Sequence, residues 1–111
     1  MIVSNLEIVP GQRVAAHLGI AQGSTVRAKH VGRDFLSGLK NIVGGELKAY
    51  TELMVEAREE AMARMVEQAR GLGANGVLNV RFVTTSITMG AAEILAYGSA
   101  VTLEPLSAAR A

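Results

Sequence analysis

Residues 46–72 read ELKAYTELMVEAREEAMARMVEQARGL, and this stretch decides the fold. Tyr50, Leu53, Ala57, Ala61, Met65, Ala69 and Leu72 recur at spacings of three and four, which puts them on one side of an α-helix with charged residues opposite. Glu60 and Arg64 stand four apart, in the favourable order for a helical ion pair. Glu52, Glu56, Glu59, Glu60 and Glu67 read as a solvated face, and the methionines as core filler. Gly73 follows as the C′ residue, and Ala74-Asn75-Gly76 makes a turn.

Beyond that turn the period changes from helical to alternating. Residues 77–88, VLNVRFVTTSIT, place Leu78, Val80 and Phe82 on one face of a strand. Residues 93–104, EILAYGSAVTLE, put Leu95, Tyr97, Val101 and Leu103 on one side and Ile94, Ala96, Ala100 and Thr102 on the other. Both sides are apolar or small, as in a central strand, or in one with a helix on one side and a neighbouring subunit on the other. Upstream, Arg13–Leu18 and Thr25–Lys29 read as strand segments, joined by a turn at Gln22-Gly23 or forming one bent run. Asp34–Val43 carries the apolar face of a short helix, with Asp34 as N-cap and Gly44-Gly45 as its end. Residues 105–111, PLSAARA, have no periodicity and read as a frayed tail. The fold class is α+β, a small antiparallel or mixed sheet packed on one long helix.

Half of the 111 residues are hydrophobic, yet only 4% are aromatic, so the core is built from aliphatic side chains and elements can approach closely. A net charge of +1 gives no field for collecting nucleic acid. No apolar run reaches the roughly 18 residues of a membrane span, so no membrane partner and a cytoplasmic location are expected. With no cysteine, disulfides, thiolate metal sites and thiol nucleophiles are excluded.

The blocks GSTVRAKHVGRD, GLKNIVGGELKAYTELMVEAREEAMARM, LGANGVLNVRF and GAAEILAYGSAV together resemble the YbjQ-like family, over about residues 1–104. That family of bacterial and archaeal proteins carries a heavy-metal-binding label and no established reaction. The resemblance implies one domain, a dodecin-like subunit that assembles into a homo-oligomeric ring, typically a pentamer. His30, Gly32, Arg33, Asp34, Gly44, Gly45, Glu46, Tyr50, Ala74, Asn75, Gly90, Ala91, Glu93 and Tyr97 match its blocks.

A divalent metal ion needs about four ligands, drawn here from His17, His30 and scattered carboxylates. His30 and Asp34, four apart, could meet across a turn, with Glu46, Glu93 or an adjacent subunit completing the set. A small anionic ligand would use other atoms: backbone N–H groups after Gly44-Gly45, with Lys29, Arg33 and Lys40 nearby, although Glu46 would repel it. The bland alternatives are a helix corner at the glycines and an Arg33-Asp34 ion pair. An enzyme reading would take Asp34 with Glu46 or Glu93 as acid and base, without a nucleophile elbow or triad to support it. The leading expectation is a non-catalytic ring that binds a small ligand or metal ion around KHVGRD and VGGE; a purely structural or partner-docking assembly is the third reading.

Overall fold

A computed structural model of the chain describes residues 1–28, 45–88 and 91–106. The elements are β1 (Ile2–Val3), β2 (Gln12–Ala28), α1 (Gly45–Gly71), β3 (Gly76–Thr88) and β4 (Ala91–Pro105). They form a four-stranded mixed sheet of order β1-β3-β4-β2 with one helix laid across it. β1 runs parallel to β3, while β4 is antiparallel to both β3 and β2. The expected short helix at Asp34–Val43 lies outside the described residues.

The long helix forms as its periodicity requires. Ala57, Ala61, Met65 and Ala69 are all fully buried against the sheet. Its end is a Schellman motif: Gly73 has φ +88°, its N–H donates to Arg70 C=O at 2.9 Å, and Ala74 N–H donates to Ala69 C=O at 3.0 Å. The chain thus leaves the helix before Leu72, which is 43% exposed and falls off the predicted apolar stripe.

β2 is one continuous run of 17 residues, so the turn alternative at Gln22-Gly23 is corrected. Its bends come from register shifts between Val14 and Ala16 and between His17 and Gly19. Gly23 serves packing instead. A Cβ there would overlap the backbone nitrogen of Met65 and sit 2.6 Å from the Ala61 carbonyl oxygen. Helix and strand backbones meet at this point, and the neighbouring Thr25, 1% exposed, satisfies its hydroxyl by donating to Ala57 C=O at 3.1 Å.

A second correction concerns β3. Leu78 was expected to share a face with Val80 and Phe82, but the register shifts between Leu78 and Arg81, with Asn79 at φ +54°. Asparagine tolerates this left-handed region better than most side chains, and the inserted residue flips the alternation. Val77 and Val80 therefore both face the helix, with Ala21, Ile94, Ala96 and Ala100, while Leu78 joins Val101, Leu103 and Val9 on the other side. Asn75 fixes the start of β3 by bonding both backbone groups of Leu103, at 2.6 and 3.0 Å.

The face away from α1 carries Ile20 and Val26 from β2, Glu93, Leu95 and Tyr97 from β4, and Val83 from β3, as the strand partners dictate. Ile20 is 68% exposed and Val26 55%. Strands of 13 to 17 residues far exceed the usual 5–6, and among the described residues α1 covers only one of their faces. The result is elongated, 64 × 25 × 16 Å, with a radius of gyration of 18.3 Å against about 13 Å for a compact chain of this length.

Candidate functional site

The described neighbours of the candidate residues converge on one end of the sheet. Ala28, the last residue of β2, pairs with Ala91, and Lys29 follows it directly in the chain. Glu93 lies two residues along β4, opposite Val26 on one side and Thr85 on the other. Gly45 opens α1, which runs antiparallel to β2: Ala57 stands over Thr25, and twelve residues of helix carry Gly45 about 18 Å beyond Ala57 in the direction of Ala28. Of the expected ligand residues, Gly45 and Glu46 begin the helix, whereas Lys29, Arg33 and Gly44 lie outside the described residues. Of the expected metal ligands, Glu93 is on β4, whereas His30 and Asp34 lie outside them.

His17 is at the other end. It pairs with Val101, eight residues from Glu93 along β4, or about 26 Å at the strand rise. The two cannot ligate one ion within a subunit. Among the described residues no three histidines or carboxylates are grouped to hold a metal. No described helix is long and apolar enough to cross a membrane. Among the described residues, one hollow of about 280 Å³ lies toward the other end between Val9, Arg13 and Leu103, and another of about 250 Å³ is formed by Arg58, Glu59, Met62 and Phe82.

An ionic network that spacing alone did not reveal joins helix and sheet beside the buried core. Arg27 donates to Glu60 at 2.5 Å, and Arg64, four residues along the helix, contacts the other carboxylate oxygen. Arg64 also donates to the Ser24 carbonyl at 2.6 Å. Only the Glu60–Arg64 half was legible beforehand, because Arg27 is 33 residues distant. The hydrogen bond from Arg27 is the main cause holding the Glu60 carboxyl below its ordinary 4.5; partial desolvation opposes it, and the charges of Arg27 and Arg64 and the Arg64 hydrogen bond reinforce it. A depressed carboxylate is the opposite of what a general acid requires, and the ion pairs tie α1 to β2. Its stabilising contribution is complete above pH 4.5 and is lost as pH falls through the lower folded value. Glu60→Gln should therefore flatten the decline of stability on acidification below pH 4.5, read as urea midpoints across a pH series. An unchanged acid slope would contradict this role.

The chain is 60% identical over 104 residues to a UPF0145 protein of Hahella chejuensis, covering 94% of this chain and all of that one. It is 62% identical over 105 residues to a UPF0145 protein of Thermus thermophilus, 95% of this chain and 92% of the relative. It is 56% identical over 103 residues to one from the archaeon Archaeoglobus fulgidus, 93% and 95%. Among solved structures, a DUF74-family protein of unknown function from Pediococcus pentosaceus superposes with a TM-score of 0.63 at 11% identity, covering 94% of this chain and 98% of that one; the likeness is one of fold. The YbjQ family model, described as "Putative heavy-metal-binding", matches residues 1–104. A match of that extent, together with relatives from both bacteria and archaea, makes this chain a member of that family.

Proposed function

We propose that the protein is the subunit of a homo-oligomeric ring, a pentamer by analogy with the family, that binds a metal ion at the end of the sheet where Ala28, Glu93 and the start of α1 converge. The observation that carries the assembly is the elongated subunit with Ile20, Val26 and Val83 exposed on its face away from α1. Protein monomers rarely leave such a face open to water. The family description favours a metal over a small anion, and the ligand set is His30, Asp34 and Glu93, with a neighbouring subunit completing the coordination. Lys29, Arg33 and Gly44-Gly45 are the corresponding groups for an anion.

Chelator-treated protein titrated with Zn²⁺, and separately with inorganic phosphate, tests the site. Zn²⁺ binding that disappears in the triple variant His30→Ala/Asp34→Ala/Glu93→Ala, with the assembly mass unchanged, is the expected result. Zn²⁺ binding retained by that variant contradicts the ligand set, and phosphate binding lost on Arg33→Ala would transfer the site to an anion. If neither probe binds, the assembly is structural.

A further inference from the structure

We infer that the edge of β3 from Arg81 to Thr88, which no described residue covers, takes a strand from a second copy of this chain. The inference rests on the assembly proposed above and names one of its contact surfaces.

Hydrogen-bond directions identify the open edge. On β2, the Gln22 N–H and the Ser24 C=O point away from β4, since they meet Gln68 Oε1 at 2.6 Å and Arg64 at 2.6 Å. The even-numbered residues of β2 at 22 and 24 therefore face outward, and helix side chains occupy that edge there. The odd residues of β2 then bond the even residues of β4 opposite them, leaving Glu93, Leu95 and Tyr97 of β4 to bond β3. Their partners Thr85, Val83 and Arg81 face inward, so the N–H and C=O groups of Phe82, Thr84 and Ser86 face outward.

The first part of β3's outer edge is covered by the N-terminal segment: Ser4 N–H donates to Val77 C=O, while Asn79 and Val80 N–H donate to Leu6 and Ser4 C=O. That cover stops at Val80. Among the described residues nothing hydrogen-bonds the outward groups of Phe82, Thr84 and Ser86. The uncovered sequence, RFVTTSIT, holds β-branched and aromatic residues with no proline, no glycine and a single charge, and Phe82, Val83 and Ile87 are 41%, 42% and 54% exposed. An edge of this composition adds strands unless it is blocked; the cover seen on β2 and on the first part of β3 does not extend to it, and its one irregularity is the register shift between Ser86 and Thr88 at its far end.

Area favours a second copy as the occupant. The subunit exposes 7234 Å² against roughly 5,900 Å² for a compact monomer of its mass. The excess is of the order of the two faces of about 800 Å² each with which a ring subunit meets its neighbours. Pairing of β3 with the same β3 segment would close a two-fold dimer, so a ring needs a different segment of the neighbour as the added strand.

Thr84→Pro removes one outward N–H and no bond of the β3–β4 ladder, a position where a strand tolerates proline. Size-exclusion chromatography with light scattering and circular dichroism on wild type and T84P is paired with amide exchange of the wild type, read at Phe82, Thr84 and Ser86. The inference expects slow exchange at these amides in a wild-type oligomer, and a smaller T84P species with native circular dichroism. If T84P does not fold, the wild-type exchange decides. Fast exchange within an intact wild-type oligomer, or T84P at wild-type mass, overturns the edge contact while the assembly stands. A monomeric wild type overturns both, and slow exchange in that monomer would assign the cover to the chain's own residues.

Discussion

Gly23→Ala should destabilise the fold by about 3 kcal/mol, at the upper end of what overpacking a filled core costs. The added methyl has no side chain to push aside. It meets the Met65 nitrogen, the Ala61 carbonyl oxygen and the Arg64 Cβ, all parts of the helix frame. Relief requires α1 to lift from β2, and that lift would open gaps around Ala57, Ala61 and Met65, which are fully buried. Gly71→Ala is the matched control, since nothing lies within 4 Å of a Cβ there and a helical site gains about 0.5–1 kcal/mol from alanine over glycine. Urea midpoints at one fixed protein concentration compare the two. Equal midpoints would mean that helix and strand are less closely seated than the Gly23 geometry requires.

Ile20→Asp should convert the assembly to a single-chain species. In an isolated subunit this residue is 68% exposed, and replacement of such a side chain shifts stability by only about 0.5 kcal/mol. In a ring that buries the face away from α1, the same change places a carboxylate in an apolar contact without a partner, a cost of several kcal/mol at every interface. Light scattering therefore reads a large effect where a monomer would show almost none. A variant with unchanged mass and unchanged urea midpoint would place the interface elsewhere on the subunit.

The helix was legible because 27 residues repeat one apolar period, and no local signal competes with it. The strands were legible as strands, but two details were not. Gln22-Gly23 has turn chemistry in sequence, yet glycine there provides the close approach of a helix, a tertiary demand that alternation does not encode. At Asn79 a single left-handed residue reverses which side chains face the core, so an uninterrupted period-2 reading assigned Leu78 to the wrong side. The family was legible from ordered sequence blocks spread over nearly the whole chain, and the family match bears that out. The candidate site was only partly traceable: Glu93 and the helix start at Gly45-Glu46 are described, while Lys29, His30, Arg33, Asp34 and Gly44 lie outside the described residues. Arg27 entered no site reading, because its partner Glu60 is brought to it by the fold and not by proximity in the chain.

Native mass spectrometry of the freshly purified protein shows whether copies of this elongated subunit complete one another. A single species of five times the 11.7 kDa chain mass is expected. A species of 11.7 kDa persisting at micromolar concentration would contradict it, and would leave the face away from α1 and the β3 edge to be covered by something other than this chain.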